Sequence, residues 1–134
     1  MPLLGELEDA LAQKDSELLP IGDIEFLNHL AAVASLAAAK DLVASAPGAV
    51  AKELKTIRLA IETEDSVLLK EACHALRGAC YSVQVSRLAH MTKEMEDRSR
   101  DIERARRLLL PLEEVGGETI AWWHDILEKD LIQA

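Results

Sequence analysis

Aromatic residues are almost missing from this chain: two Trp, one Tyr and one Phe, or 3% of 134 residues. The 49% of hydrophobic residues is therefore mostly Leu, Ala, Val and Ile. Glycine and proline are also sparse, at six and four. That composition argues against a turn-rich β fold and for packed helices. Basic residues are in deficit, 15 against 24 acidic ones, for a net charge of −9. Nucleic acid and anionic membrane select for basic surfaces and are excluded as partners on that ground. Cysteine is limited to Cys73 and Cys80. On one helix they stand roughly 10 Å apart along the axis, too far for a disulfide. They read as reduced thiols, which points to the cytoplasm. The first residues, Met1 to Glu6, lack a basic leader. The apolar run 30–39 is ten residues, mainly alanine, too short to span a bilayer. No phosphate-binding loop or glycine-rich ATP lid is present, so the chain is not expected to be a kinase.

What is present is helical periodicity. Leu3, Leu4, Leu7, Ala10 and Leu11 recur at helical spacing, so residues 1–22 are expected to form a short helix or a linker. Pro20 to Asp23 reads as a break with a possible N-cap at Asp23. From 23 to 64 the pattern is helical almost throughout. Leu36, Ala39, Leu42, Val43, Val50, Leu54, Ile57 and Ile61 form its inward stripe, and Pro47 either kinks one helix or separates two. Glu64-Asp65-Ser66 gives a turn and a cap. Further helices are expected over 65–84, 86–98 and 101–130, the last with Pro111 and Gly116-Gly117 as places to bend or break. The predicted architecture is an all-α antiparallel four-helix bundle over 23–134, with an additional short N-terminal helix. A chain that closes its own core in this way is expected to be a monomer. A two-helix sensor-kinase-type dimer is the competing architecture.

The segment Cys73-His74-Ala75-Leu76-Arg77-Gly78-Ala79-Cys80 carries the chemistry. At 100° per residue, Leu68, Leu69, Ala72, Leu76, Ala79 and Val83 share the inward face. Lys70, His74, Arg77, Gly78 and Tyr81 share the opposite one. A histidine flanked on its own face by a cation and a glycine suits an anion delivered from outside. Cys73, His74 and Cys80 do not share a face, which argues against a metal site. His29, His90 and His124 have no such surroundings. Trp122-Trp123 is expected to place one ring inside and one at the surface.

This pattern resembles the histidine-containing phosphotransfer domain of bacterial and plant multistep phosphorelays. That family has a His, a Lys or Arg three on, Gly four on, a small residue five on, Leu fourteen on and an acidic or amide residue twenty-two on. These fall on His74, Arg77, Gly78, Ala79, Leu88 and Glu96. The family's Gly-Ala pair ten and eleven residues after the histidine is replaced by Gln84-Val85. The resemblance implies a four-helix bundle and a phosphorelay intermediate, with His74 as phosphoacceptor and Arg77 offsetting the phosphoryl charge. Glu96 is then the candidate acceptor of the ring proton. Lys70, Gly78, Tyr81 and Ser82 are the expected binding residues, and Arg87 and Lys93 extend the basic neighbourhood. It also implies no ATP site and no bound cofactor. Mg²⁺ is expected on the partner, a response-regulator receiver domain, and a hybrid sensor histidine kinase stands upstream. The domain would be free in the cytoplasm or form the cytoplasmic end of a membrane sensor kinase. The alternative is a bundle that binds a regulator or a neighbouring sensor-kinase domain independently of phosphorylation.

Overall fold

Four of the helices start where a short polar side chain caps the first turn. In the computed structural model, which describes residues 3–134, the elements are α1 (Leu3–Glu17), α2 (Ile24–Val33), α3 (Leu36–Glu62), α4 (Ser66–Ser82), α5 (Ser86–Asp97), α6 (Ile102–Arg106) and α7 (Leu109–Glu128). Asp23, Ser35, Asp65 and Asp101 each accept a hydrogen bond from a backbone N–H of the helix they precede. Such caps satisfy donors that have no partner inside the helix. The first two residues of the expected N-terminal segment lie outside the described residues.

Three helices end on a non-glycine residue in the left-handed region: Glu64 (φ 54°), Gln84 (φ 57°) and Asp130 (φ 52°). At each, the next residue's N–H reaches back to the carbonyl five before it, as Val85 does to Cys80 at 3.1 Å and Asp65 to Ala60 at 2.8 Å. This closure normally recruits glycine. Gln84 therefore makes the turn after α4 without the glycine found in the resembling family.

Four helices, α3, α4, α5 and α7, close the core. α3 and α5 each pack on both α4 and α7, while α2 lies on α3 and α1 on α5. The core is aliphatic, with Leu69, Leu76, Leu88, Met91, Met95, Leu108 and Leu112 fully buried and Trp123 its one large ring. Trp122 is half-buried over Gly22, where a Cβ would come within 2.4 Å of the ring. Gly116 lets α7 approach α3, since a Cβ there would come 2.5 Å from Leu54 Cδ1. No helix among the described residues is long and apolar enough to cross a membrane.

Two expected boundaries move. α3 runs unbroken through Pro47, and the interruption falls at Ala34–Ser35, inside the alanine-rich run. The Ser35 hydroxyl accepts from Ala38 N–H at 2.9 Å and starts a new helix there. The stripe of α3 turns inward as expected except at Leu36, which sits exposed in its first turn. The expected C-terminal helix divides at Arg107–Leu108 into α6 and α7. Pro111 does not interrupt α7, because in the first turn of a helix no intrahelical bond needs its missing N–H.

Candidate functional site

The local sequence of α4 decides what faces out. Leu69, Ala72, Cys73, Leu76 and Cys80 are buried against the bundle. Burial raises the thiols of Cys73 and Cys80 from the ordinary 9.0 to about 12, with the Glu96 charge adding to the effect at Cys73. Both thiols are free. His74, Lys70, Gly78, Tyr81 and Ser82 are exposed on the other side, and Arg77 is half-buried beside them. No hydrogen bond or ion pair ties down His74 or Lys70 among the described residues.

Arg77 reaches across to α5, where its Nη1 donates to Glu96 Oε1 at 3.0 Å. Side-chain exposure is 25% for Arg77 and 15% for Glu96, so the pair is shielded from most solvent screening. The Arg77 guanidinium also lies 5.9 Å from the centroid of the Tyr81 ring. Glu96 first, then Tyr81, hold the guanidinium more firmly protonated than usual. One N–H is thus spent on Glu96, while Nε is buried without a partner. A guanidinium has five N–H donors, so further donors stay available to an arriving anion.

The expected hydrogen bond between the His74 ring and Glu96 is not formed; that carboxylate accepts from Arg77 instead. Gly78 is open. A Cβ built there meets nothing within 4 Å, so bundle packing does not require glycine at this position. Ser82 spends its hydroxyl on the Gly78 carbonyl at 3.0 Å.

Lys93, one turn before Glu96's end of α5, donates to Asp97 at 2.9 Å, and that pairing raises its pKa. Arg87 does not join the basic neighbourhood expected of it. Its guanidinium donates to the carbonyls of Glu17 and Leu19 and to Glu118, and its own N–H to the carbonyl of Pro20. Arg87 is thereby a clasp for the turn after α1. Its nearness to His74 in sequence suggested a place in that neighbourhood, and only the fold shows the competing acceptors.

Sequence reasoning also missed a groove of about 300 Å³ between the ends of α4 and α5. Cys80, Val85 and Ala89 form its floor, with Tyr81, His90 and Lys93 at its sides. Its signal in the sequence was faint, because its walls come from two helices and the turn between them. Among the described residues, no three His, Cys, Asp or Glu side chains converge as a metal site would require.

The arrangement offers an uncovered imidazole, a positioned guanidinium three residues on and a bare helical surface between them and the next turn. No curated protein and no solved structure matches the chain. A family model, the Hpt domain, matches residues 48–129, a span that contains α4, α5 and α7 in full and most of α3. That match covers more than half of the sequence, and it agrees with an all-helical bundle whose His74 face is turned to solvent: the chain belongs to the Hpt domain family.

Proposed function

We infer that His74 is the phosphoacceptor of a phosphorelay. A lone pair on its ring attacks the phosphorus of a receiver aspartyl phosphate. The bond from phosphorus to the aspartate oxygen breaks, the carboxylate leaves as an anion, and a nitrogen–phosphorus bond forms. Attack by the aspartate of a second receiver reverses these events and restores neutral histidine. The chain needs no ATP site for this, because phosphoryl potential arrives on the partner, and Mg²⁺ belongs to the receiver's aspartate cluster.

Gly78 carries the reading. A glycine inside a helix weakens it by roughly 1 kcal/mol relative to alanine, and nothing in the bundle fills the space it leaves. A bare patch one turn after an exposed histidine has its use when another protein must bring a reacting group close. Arg77 supports the same reading. Phosphorylation adds about −1.5 to −2 charges on the side chains where it is known, and the guanidinium has donors left to meet them. Glu96 acts through Arg77 as a positioning residue, and Lys70, Tyr81 and Ser82 border the docking surface. The partners are a receiver domain and, upstream, a hybrid sensor histidine kinase, with the bundle acting as a monomer in the cytoplasm.

The test is incubation of the purified chain with a ³²P-labelled receiver. An acid-labile, alkali-stable label should appear on the wild type and be absent from His74→Gln. Equal labelling of that variant would place the acceptor elsewhere. A wild type that binds the receiver yet never becomes labelled would favour a phosphorylation-independent interaction module.

A further inference from the structure

The helix α1 is built inside out. Its buried face is Asp9, Ala12 and Ser16, which is polar or small. Its leucines point the other way: Leu4 is 70% exposed, Leu7 60%, Leu11 54% and Leu18, in the turn just past the helix, 80%. The spacing 4, 7, 11, 18 follows the alternating three and four of a helix-pairing seam, with Lys14 at the remaining position. At 100° per residue the seam lies opposite the buried face.

Ion pairs hold the helix this way round. Asp9 Oδ2 accepts from Arg107 Nε at 2.7 Å, and its Oδ1 lies 3.4 Å from Nη2 of the buried Arg98. Glu8 pairs with Arg104 at 3.0 Å. Gly5 sits so near Arg107 that a Cβ would come 2.6 Å from Nη2. Turning the leucines inward would bury them against these charges, so the seam is presented by design of the contact and not by loose docking.

We propose that the leucine seam of α1 is the docking face for a basic amphipathic helix of another protein. Charge selects this occupant. Asp15 flanks the seam on one side and Glu6 and Glu17 on the other, none of them ion-paired among the described residues, while Glu8 spends its charge on Arg104 and Lys14 is the one cation on the helix. A partner helix with apolar residues on its own seam and Lys or Arg beside it meets both features. A second copy of this chain is disfavoured, because each copy brings a net charge of −9 and the same acidic flanks. The surface lies outside the matched residues 48–129 and contains none of His74, Arg77 and Glu96.

The experiment uses the full chain and two synthetic helical peptides of 18 residues. Both carry the same leucine seam; one has lysine flanks and the other glutamate flanks. The lysine peptide should bind the wild type at least tenfold more tightly than the glutamate peptide. Leu7→Gln with Leu11→Gln should weaken that binding at least tenfold. Asp15→Lys, which leaves every leucine in place, should weaken it severalfold and serves as the reading if the double variant loses helix by circular dichroism. Equal affinity for the two peptides, no binding, or binding that ignores these substitutions would overturn the proposal. So would a sedimentation result in which wild type alone dimerises and the double variant does not, or attachment through the leucines to neutral phosphatidylcholine vesicles.

Discussion

Helices α4 and α1 are both amphipathic and both lie on the same bundle, yet they face opposite ways. α4 turns Leu69, Leu76 and the two thiols inward and leaves His74, Lys70 and Gly78 to water. α1 turns Asp9, Ala12 and Ser16 inward and leaves Leu4, Leu7 and Leu11 outside, with Leu18 exposed just past its end. Periodicity reports which residues share a face. Which face is buried depends on what the neighbouring surface offers. For α4 that surface is aliphatic on both α3 and α5. For α1 it is the arginines just past α5, in α6 and in the turn before α7, which take Asp9 and Glu8 as partners.

The largest way to break this contrast is to truncate one leucine in each helix. Leu76→Ala removes a fully buried side chain and should destabilise the bundle by about 2–5 kcal/mol in urea titration. Leu11→Ala, on the outward face of α1, should change stability by no more than about 0.5 kcal/mol. Comparable losses in both would mean that α1 buries its leucines in solution.

Asp9→Ala probes the polar seam. It leaves Arg98 buried with only Glu94 as partner, and loss of a buried charged acceptor is worth about 1–3 kcal/mol. Hydrogen exchange should locate that loss in α1, with α3, α4 and α7 still protected. Protection lost evenly through all seven helices would show α1 to be an integral part of the core.

Alkaline titration tests the inward face of α4. In the folded chain both thiols titrate near 12, against 9.0 when unperturbed. Above pH 9 the unfolded thiols lose protons that the folded ones keep. Stability therefore falls as pH rises from 9 toward 12, by about 1 kcal/mol per thiol at pH 10. Cys73→Ala with Cys80→Ala should remove that part of the slope when unfolding is followed between pH 8 and 10. An unchanged slope would show that the thiols reach water.

The smallest effects come from two single positions on and after α4. Gly78→Ala should stabilise the helix by up to about 1 kcal/mol while slowing transfer from a receiver, because the added methyl stands on the open surface. Faster or equal transfer would remove the role given to this bare patch. Gln84→Gly relieves a left-handed residue and should raise the thermal midpoint slightly, by an amount equivalent to about 0.5–1 kcal/mol. A lower midpoint would show that the Gln84 side chain contributes more than its backbone strain removes.

Much of this was legible from residue order. The caps at Asp23 and Asp65, the two faces of α4 and the burial of Trp123 with Trp122 at the edge all follow from local rules, since each depends on residues within one or two turns. The motif from His74 to Glu96 was readable for the same reason: it lies on two consecutive helices. Ser35 shows a local signal overlooked, a cap hidden in an alanine run that otherwise favours helix. Arg87 shows the opposite case. Nothing near it in sequence indicates that the carbonyls of Glu17 and Leu19 will be waiting.

The sequence by itself determined that this chain is helical, where α2, α4 and α5 begin, and that His74, Arg77 and Gly78 share one surface, because helical geometry is set by neighbours three and four residues apart. Only the tertiary structure decided that Glu96 holds Arg77, that Arg87 clasps the N-terminal turn and that α1 wears its leucines outward. Those outcomes depend on which of several possible partners the fold brings within hydrogen-bond distance, and that competition is settled between segments as many as 98 residues apart.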